Sequence, residues 1–347
     1  MAASPHGDVL QCLEWGDLKR PGWTPIPVAV QENGTVKATA LALRRSIPHT
    51  RRGILYVPRG PIVDWSDEAA ARAIVKRLRE AARRQGAILI KIDPAVPMST
   101  HGMAQTLGSL GFRPSPDAVG GFGGTQPRCV MKLDIAGTPD DVMARFHQKW
   151  RYNIRLAARK GVVVQSDCTR ADLPIFHELY RTTAERDGFT GRPLAYFEKL
   201  WDTLVERDLA KLFITYLNDQ PLSSAICFVL PPQAWYVYGA SSNEQRNVMP
   251  NHAMQWAMMQ WARERDCTLY DFRGVADEAT IAAQSKNGES DNHLQGLNRF
   301  KTGFGATQVD YIGEWDLVID RKWYWLWTTA RPKAAAIAKK VRRKLKR

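Results

Sequence analysis

Apolar residues fall into short runs with two distinct periods. The stretches 36-VKATALAL-43 and 54-ILYVPRGP-61 read as β-strands joined by a polar turn. Next comes 67-DEAAARAIVKRLREAARRQGA-87, whose apolar positions recur at helical spacing, and then 88-ILIKIDP-94, the continuous apolar run of a buried strand. The same order returns later. It runs through 222-LSSAICFVL-230, 235-WYVYGAS-241, the helical 251-NHAMQWAMMQWARERD-266 and 267-CTLYDFRG-274. Ala82-Arg83 and Ala262-Arg263 occupy matching places near the two helix ends. Hairpin, helix, strand, twice over, is the order of a duplicated α/β unit, or of two ordinary α/β segments built alike.

Between these stretches, 138-TPDDVMARFHQKWRYNIRLAARKGV-162 opens with a Thr N-cap, a Pro in the first turn and two acids, a helix start. Val142, Phe146, Trp150 and Ile154 recur every four residues and predict one amphipathic helix, with Lys149, Arg151, Arg155, Arg159 and Lys160 on other faces. Two further amphipathic helices are predicted over Leu173 to Asp187 and Leu194 to Arg207. The Gly/Pro-rich run 114-PSPDAVGGFGGTQP-127 contains no lysine and opens no helix, so it reads as a surface loop rather than a phosphate cradle. The expected organisation is a first subdomain over 1–137 and a second over 138–312. A return segment over 313–330 packs back on the first, and 331–347 forms a tail.

The net charge of +14 changes the picture mainly through its location. Residues 321–347 carry eleven cations and no acid, leaving the preceding 320 residues at only +3. An anionic partner surface, met by one end of the molecule, is the expectation. Trp323, Tyr324, Trp325 and Trp327 sit beside Arg321 and Lys322, the residue types that favour a bilayer interface, although the same aromatic run could pack as core. Beyond Pro332 an apolar stripe of Ala334, Ile337, Ala338, Val341 and Leu345 is surrounded by Lys and Arg. That pattern predicts a basic amphipathic helix docking on an anionic membrane, with tRNA attraction as the other reading. No apolar run approaches the roughly 18 residues of a bilayer span, and the N-terminus lacks a secretory pattern. Five cysteines (12, 129, 168, 227 and 267) are scattered without a C-x-x-C, as expected of a reducing cytoplasm.

The junction 238-YGASSNEQRNVMPNHAMQW-256 is informative by comparison with acetyl-CoA-dependent N-acyltransferases. Their Q/R-x-x-G-x-G/A turn presents bare backbone amides to a pyrophosphate. Here Gln245-Arg246-Asn247-Val248-Met249-Pro250-Asn251 puts side chains and a donor-less proline in that place. The unit reads as an acyltransferase fold without its coenzyme A loop.

The segment 296-GLNRFKTGFGATQVDYIGEWD-316 resembles, through Phe300-Lys301-x-Gly303-Phe304-Gly305, the F-K-x-G-F-G signature of the Fem family (FemABX) of peptidoglycan-bridge aminoacyltransferases. Similar pieces stand in family order: 15-WGDLKRPGW-23, 55-LYVPRGPIVD-64, 90-IKIDPAVP-97, 154-IRLAARKGV-162, 235-WYVYGASS-242 with Arg246 and Pro250, and 270-YDFRGV-275. The resemblance runs from about residue 10 to about residue 320. It implies an α/β (α+β) fold of two tandem acyltransferase-like (GNAT-like) subdomains, each a mixed sheet flanked by helices. No stretch offers the roughly 50 charged, heptad-like residues of the helical arm found in larger members, so the compact type is expected.

The implied activity uses aminoacyl-tRNA as co-substrate and no other cofactor. An amine on the stem peptide of a cell-wall precursor, lipid-linked or nucleotide-linked, attacks the aminoacyl ester. Because the ester is already activated, the site has to position the amine, take a proton and stabilise an oxyanion. By resemblance Lys301 meets the tRNA terminus or the developing charge, Phe300 supplies a backbone carbonyl near the amine, and Asp93 orients or deprotonates it. Lys19 resembles a lysine that contacts the precursor diphosphate. Lys211 falls near a second phosphate-binding cation, where the family usually has Arg, and an ammonium cannot fork onto phosphate as a guanidinium does. Arg59, Tyr238 and Arg246 are further cleft candidates. The expected location is cytoplasmic, at the inner face of the membrane. Two alternatives stand beside this one: an acetyl-CoA-type N-acyltransferase and a non-catalytic RNA-binding protein.

Overall fold

The computed structural model describes residues 7–116, 125–277 and 293–330. The tail helix predicted beyond Pro332 and the centre of the Gly/Pro-rich run lie outside them. The described residues fall into two units: one takes those between 10 and 119 together with those from 311 on, and the other takes those between 120 and 310.

In the first unit, helix α1 (Leu13–Lys19) leads into the long hairpin β1 (Thr24–Glu32) and β2 (Thr35–Ser46). Strands β3 (Gly53–Val57) and β4 (Ile62–Val63), helix α2 (Glu68–Arg84) and strand β5 (Ala87–Ile92) follow. Helix α3 (Met103–Ser109) and strand β6 (Arg113–Pro114) complete the N-terminal part. Asp67 caps α2 by accepting from the Ala70 amide at 2.9 Å. The apolar stripe of α2, Ile74, Val75 and Leu78, packs on Leu55, Val57, Ile90 and Ile92 of the sheet. Every residue of β5 is buried, as its continuous apolar run implies.

The second unit contributes β7 (Cys129–Asp134), α4 (Pro139–Ala144), α5 (Gln148–Arg159), β8 (Val163–Gln165), α6 (Leu173–Asp187) and α7 (Leu194–Leu200). Then come β9 (Ala210–Leu217), β10 (Gln220–Leu230), β11 (Gln233–Ser241), α8 (Pro250–Arg263), β12 (Leu269–Gly274), α9 (His293–Thr302) and β13 (Thr307–Asp310). The chain then re-enters the first unit through β14 (Trp315–Val318) and the short α10 (Arg321–Trp325).

The two sheets repeat one plan. In the first, the order is β1-β2-β3-β5-β14-β6, with β4 paired to β2; in the second it is β13-β7-β12-β11-β10-β9-β8. β2 and β3 are antiparallel and β3 and β5 parallel across α2; β10 and β11 are antiparallel and β11 and β12 parallel across α8. The repeat read in the sequence is therefore a repeat of topology, and the fold is two mixed sheets flanked by helices.

Two expectations are corrected. The helix predicted over 138–162 is two helices. Thr138 caps α4 through a reciprocal capping box with Asp141, but α4 ends at Ala144 and His147 caps α5 by accepting from the Lys149 amide at 3.2 Å. The apolar spacing of four survives the break because Phe146 still faces the core between them. The boundary set at 137/138 is also displaced. Strand β7 pairs with β12 and β13, both in the second sheet, so the chain leaves the first unit before residue 120 and not at 138. Nothing in the alternating pattern of 129–134 says which sheet it joins, because a short buried strand looks alike in either.

Candidate active-site residues

In the first unit, the carboxyl of Asp93 sits where β5 ends, and it is only 2 % exposed. Its Oδ2 accepts from the Tyr56 hydroxyl at 2.8 Å and its Oδ1 from the Arg59 backbone amide at 2.7 Å. Arg59 has a left-handed backbone (φ 55°), which turns its amide toward the carboxylate. Its side chain is buried as well, with the guanidinium 4.6 Å from the centre of the Tyr311 ring. Burial pushes Asp93 up to about 6, against the opposing pull of Arg59 and the Tyr56 hydrogen bond. A carboxyl titrating there can take a proton near neutral pH. The same burial, with Asp93 adjacent, holds the Tyr56 phenol well above its ordinary value, so it remains a hydrogen-bond donor.

Lys19 closes α1 with its ammonium 3.9 Å from the centre of the Trp15 ring, a cation–π contact. Lys91 is buried within β5, bonding Glu314 at 2.8 Å and Asp316 at 3.2 Å. This pair of carboxylates explains how a lysine is tolerated in so apolar a strand.

In the second unit, the signature straddles the end of α9, and each residue has a separate physical task. Lys301 is 3 % exposed and donates from Nζ to the Gly274 carbonyl at 2.5 Å, with the Arg273 carbonyl at 3.4 Å. Burial brings its ammonium down from 10.5 to about 7; Asp271 opposes the change and Arg273 adds to it. Arg273 itself holds a left-handed backbone, φ 64°, fixed by its amide donating to Asp271 at 2.6 Å. That turn aims two carbonyls at Lys301. The Phe300 carbonyl accepts from the indole Nε1 of Trp150 at 2.9 Å, and its ring lies edge-on to His252. Gly303 has no room for a side chain: a Cβ there would lie 2.1 Å from the Trp150 indole. Phe304 is fully buried, and Gly305 takes φ 78° against the Arg145 carbonyl. His252 faces Asn153 at 3.1 Å, and burial lowers it to about 4, so it is a neutral imidazole at pH 7.

The remaining candidates are placed less tightly. Tyr238 belongs to an aromatic cluster, its hydroxyl 2.9 Å from that of Tyr196 and its ring edge-on to Phe197. Lys211 is the second residue of β9, with its ammonium 5.9 Å from the centres of the Phe213 and Trp261 rings. Arg246 is exposed at the turn before α8. That turn carries left-handed Gln245 and Met249 and feeds directly into Pro250, so no glycine cradle precedes the helix. Sequence pattern alone does not single out Tyr56, Trp150, His252, Asp271 or Arg273. Trp150 reads there as a core position of an amphipathic helix, and Tyr56 as one apolar residue in a strand.

A tandem pair of acyltransferase-type sheets with a buried lysine under a Gly-Phe-Gly turn narrows the class, and the comparisons agree. The FemAB family model matches residues 1–220 and 206–332. The lipid II:glycine glycyltransferase of Staphylococcus epidermidis (strain ATCC 35984) is 30 % identical, over 99 % of this chain and 95 % of that protein. The enzyme of the same name from Staphylococcus aureus (strain MRSA252) is 29 % identical, over 99 % and 96 %. The crystal structure of FemX superposes with a TM-score of 0.83 at 29 % identity, covering 94 % of this chain and 96 % of that one. The chain belongs to the FemAB family. The near-equal coverage with FemX and a longest described helix of 17 residues fit its compact form.

Proposed function

We propose that this protein transfers an amino acid from aminoacyl-tRNA to the stem-peptide amine of a lipid-linked peptidoglycan precursor, at the inner face of the cytoplasmic membrane. The observation that carries the reading is the 30 % identity, over nearly the whole of both chains, with enzymes named lipid II:glycine glycyltransferase. The candidate residues of each unit supply groups that suit the chemistry. The Asp93 carboxylate accepts the proton of the attacking amine, held in place by Tyr56 and the Arg59 amide. The amine nitrogen forms an amide bond to the acyl carbon while the ester bond to the tRNA ribose breaks, and the departing oxygen takes up a proton. Lys301, when charged, stabilises the negative charge that develops, and its carbonyl anchors fix it in place. Phe300 offers a carbonyl lone pair to the incoming ammonium or amine, the carbonyl being oriented by Trp150. Lys19 and Arg246 serve as anion contacts for the two phosphate-bearing substrates. Glycine, alanine or serine is the donated residue.

The test is a panel of radiolabelled aminoacyl-tRNAs offered with lipid-linked and with nucleotide-linked precursor. Transfer of a small amino acid to the lipid-linked acceptor is expected. Absence of transfer from every donor to both acceptors refutes the proposal. The acetyl-CoA alternative is disfavoured by the Met249-Pro250 start of α8, and acetyl-CoA binding in calorimetry would revive it.

A further inference from the structure

A surface of the first unit remains unused by the chemistry above. A cleft of about 820 Å³ is lined by Arg79, Arg113 and Arg321, with Tyr324 at its wall and Trp325 at its rim. Arg79 donates to the Leu110 carbonyl at 2.7 Å, and Arg113 lies 4.2 Å from the centre of the Tyr324 ring. Among the described residues none of these three guanidiniums makes a salt bridge. Asp316, opposite Arg113 in the strand register, already holds Lys91 and accepts from Ser115 and Tyr324. Asp320 caps α10 and pairs with Arg52. Arg83, one turn along α2, crowds Arg79 with a further positive charge. The cleft thus gathers three guanidiniums that, among the described residues, are not paired with a carboxylate. Beside it stand the most exposed apolar groups of this segment: Trp325 is 59 % and Leu326 43 % exposed, next to Lys322. Their neighbours Trp323 and Trp327 pack inward on the small cluster of Ile88, Leu89 and Tyr324, so the outward pair sits on a fixed base.

We propose that this face docks the protein on an anionic phospholipid bilayer, with lipid phosphates seated in the Arg79/Arg113/Arg321 cleft and Trp325 and Leu326 inserted at the headgroup–acyl boundary. Charge complementarity selects an anionic occupant. The adjoining Trp and Leu select a bilayer over a nucleic acid, because a polyanion in water gives no return for an exposed leucine, whereas an interface buries it. The inference rests on the reading of a lipid-linked acceptor, and it places part of the membrane affinity in the folded unit, independent of residues 331–347.

The experiment is co-sedimentation of the full chain with vesicles of phosphatidylcholine alone or with 30 % phosphatidylglycerol, free of any cell-wall precursor. Wild type is expected to partition to the anionic vesicles. Each cation near such a surface is worth about 1 kcal/mol, roughly five-fold in partition. Arg113→Gln with Arg321→Gln should therefore lower binding about 25-fold. Arg321→Gln with Lys322→Gln, both at exposed positions, repeats the test without touching the Tyr324 contact. Trp325→Ala with Leu326→Ala should weaken binding to both vesicle types. Aminoacyl transfer to the lipid-linked precursor dispersed in detergent micelles, where no bilayer has to be docked, should be unchanged in all three, which separates failure of docking from failure of the transferase reading. Unaltered vesicle binding in both charge variants overturns the proposal. So does loss of tRNA or inorganic phosphate affinity with vesicle binding intact.

Discussion

Lys301→Met tests the site without any substrate. Holding the Lys301 ammonium in the fold at about 7, down from 10.5, corresponds to roughly 5 kcal/mol against the charged form at or below pH 7. Methionine has similar length and carries no charge, but it leaves the Gly274 and Arg273 carbonyls without their donor, at a cost of about 1–3 kcal/mol. At pH 6 the variant should therefore be more stable than wild type by about 2–4 kcal/mol. The sign reverses course with pH. Between about 7 and 10.5 the unfolded chain holds a proton on this lysine that the folded chain has released. Wild-type stability from this group thus rises with pH over that window. By pH 9 the advantage of the variant should have shrunk by about 3 kcal/mol, to within about 1 kcal/mol of zero. Urea unfolding of both proteins at pH 6, 7, 8 and 9 measures the difference, in which the other titrating groups cancel. Transfer activity should be abolished throughout. A stability difference that does not change with pH would show that the lysine is not held below its ordinary range, and the electrostatic account of the site would fall with it.

Further outcomes are expected at the other candidate residues. Asp93→Asn should lower transfer by a factor of about 10²–10⁴ with little change in substrate KM. In wild type, kcat/KM should rise through about pH 6 as Asp93 loses its proton and fall above about 7 as Lys301 loses its own. Tyr56→Phe removes a hydrogen bond that favours the Asp93 carboxylate, so the acidic limb of that profile should move upward by about 1 pH unit; an unmoved limb would detach Tyr56 from the titrating group. Gly303→Ala drives a Cβ into Trp150 and should cost on the order of 3 kcal/mol in thermal or urea unfolding, and Trp150→Ala should then cost less in the Gly303→Ala chain than it does in wild type.

The parts of this molecule that were legible in the sequence are those in which one residue's role is set by its neighbours along the chain. The repeated hairpin, helix and strand could be read because period and order are local properties, and α6 begins and ends where its pattern does. The signature around Lys301 was equally visible, yet its environment was not. A lysine in a Gly-rich stretch reads as exposed, and only the fold reveals the Arg273-Gly274 carbonyls that receive it. Tyr56 and Asp93 lie 37 residues apart, and their hydrogen bond depends on β3 and β5 being neighbours in the sheet. Trp150 and Phe300 are separated by 150 residues, so the indole that orients the carbonyl carries no local mark. The sheet membership of β7 failed for a related reason, since pairing partners are chosen in three dimensions.

The position of β14 carries a consequence for biosynthesis. Residues 315–318 enter the first sheet between β5 and β6, and they bring the Asp316 that, with Glu314, neutralises buried Lys91. A ribosome-bound chain that has emitted only its first 310 residues therefore lacks an interior strand of its N-terminal unit and holds an ammonium with no counter-ion. The strands of the second sheet all lie between 129 and 310, so that sheet can be completed first. Folding during synthesis would then run against the usual N-to-C order, and premature termination before residue 315 would strand the N-terminal unit with an open sheet edge for chaperones and proteases to find.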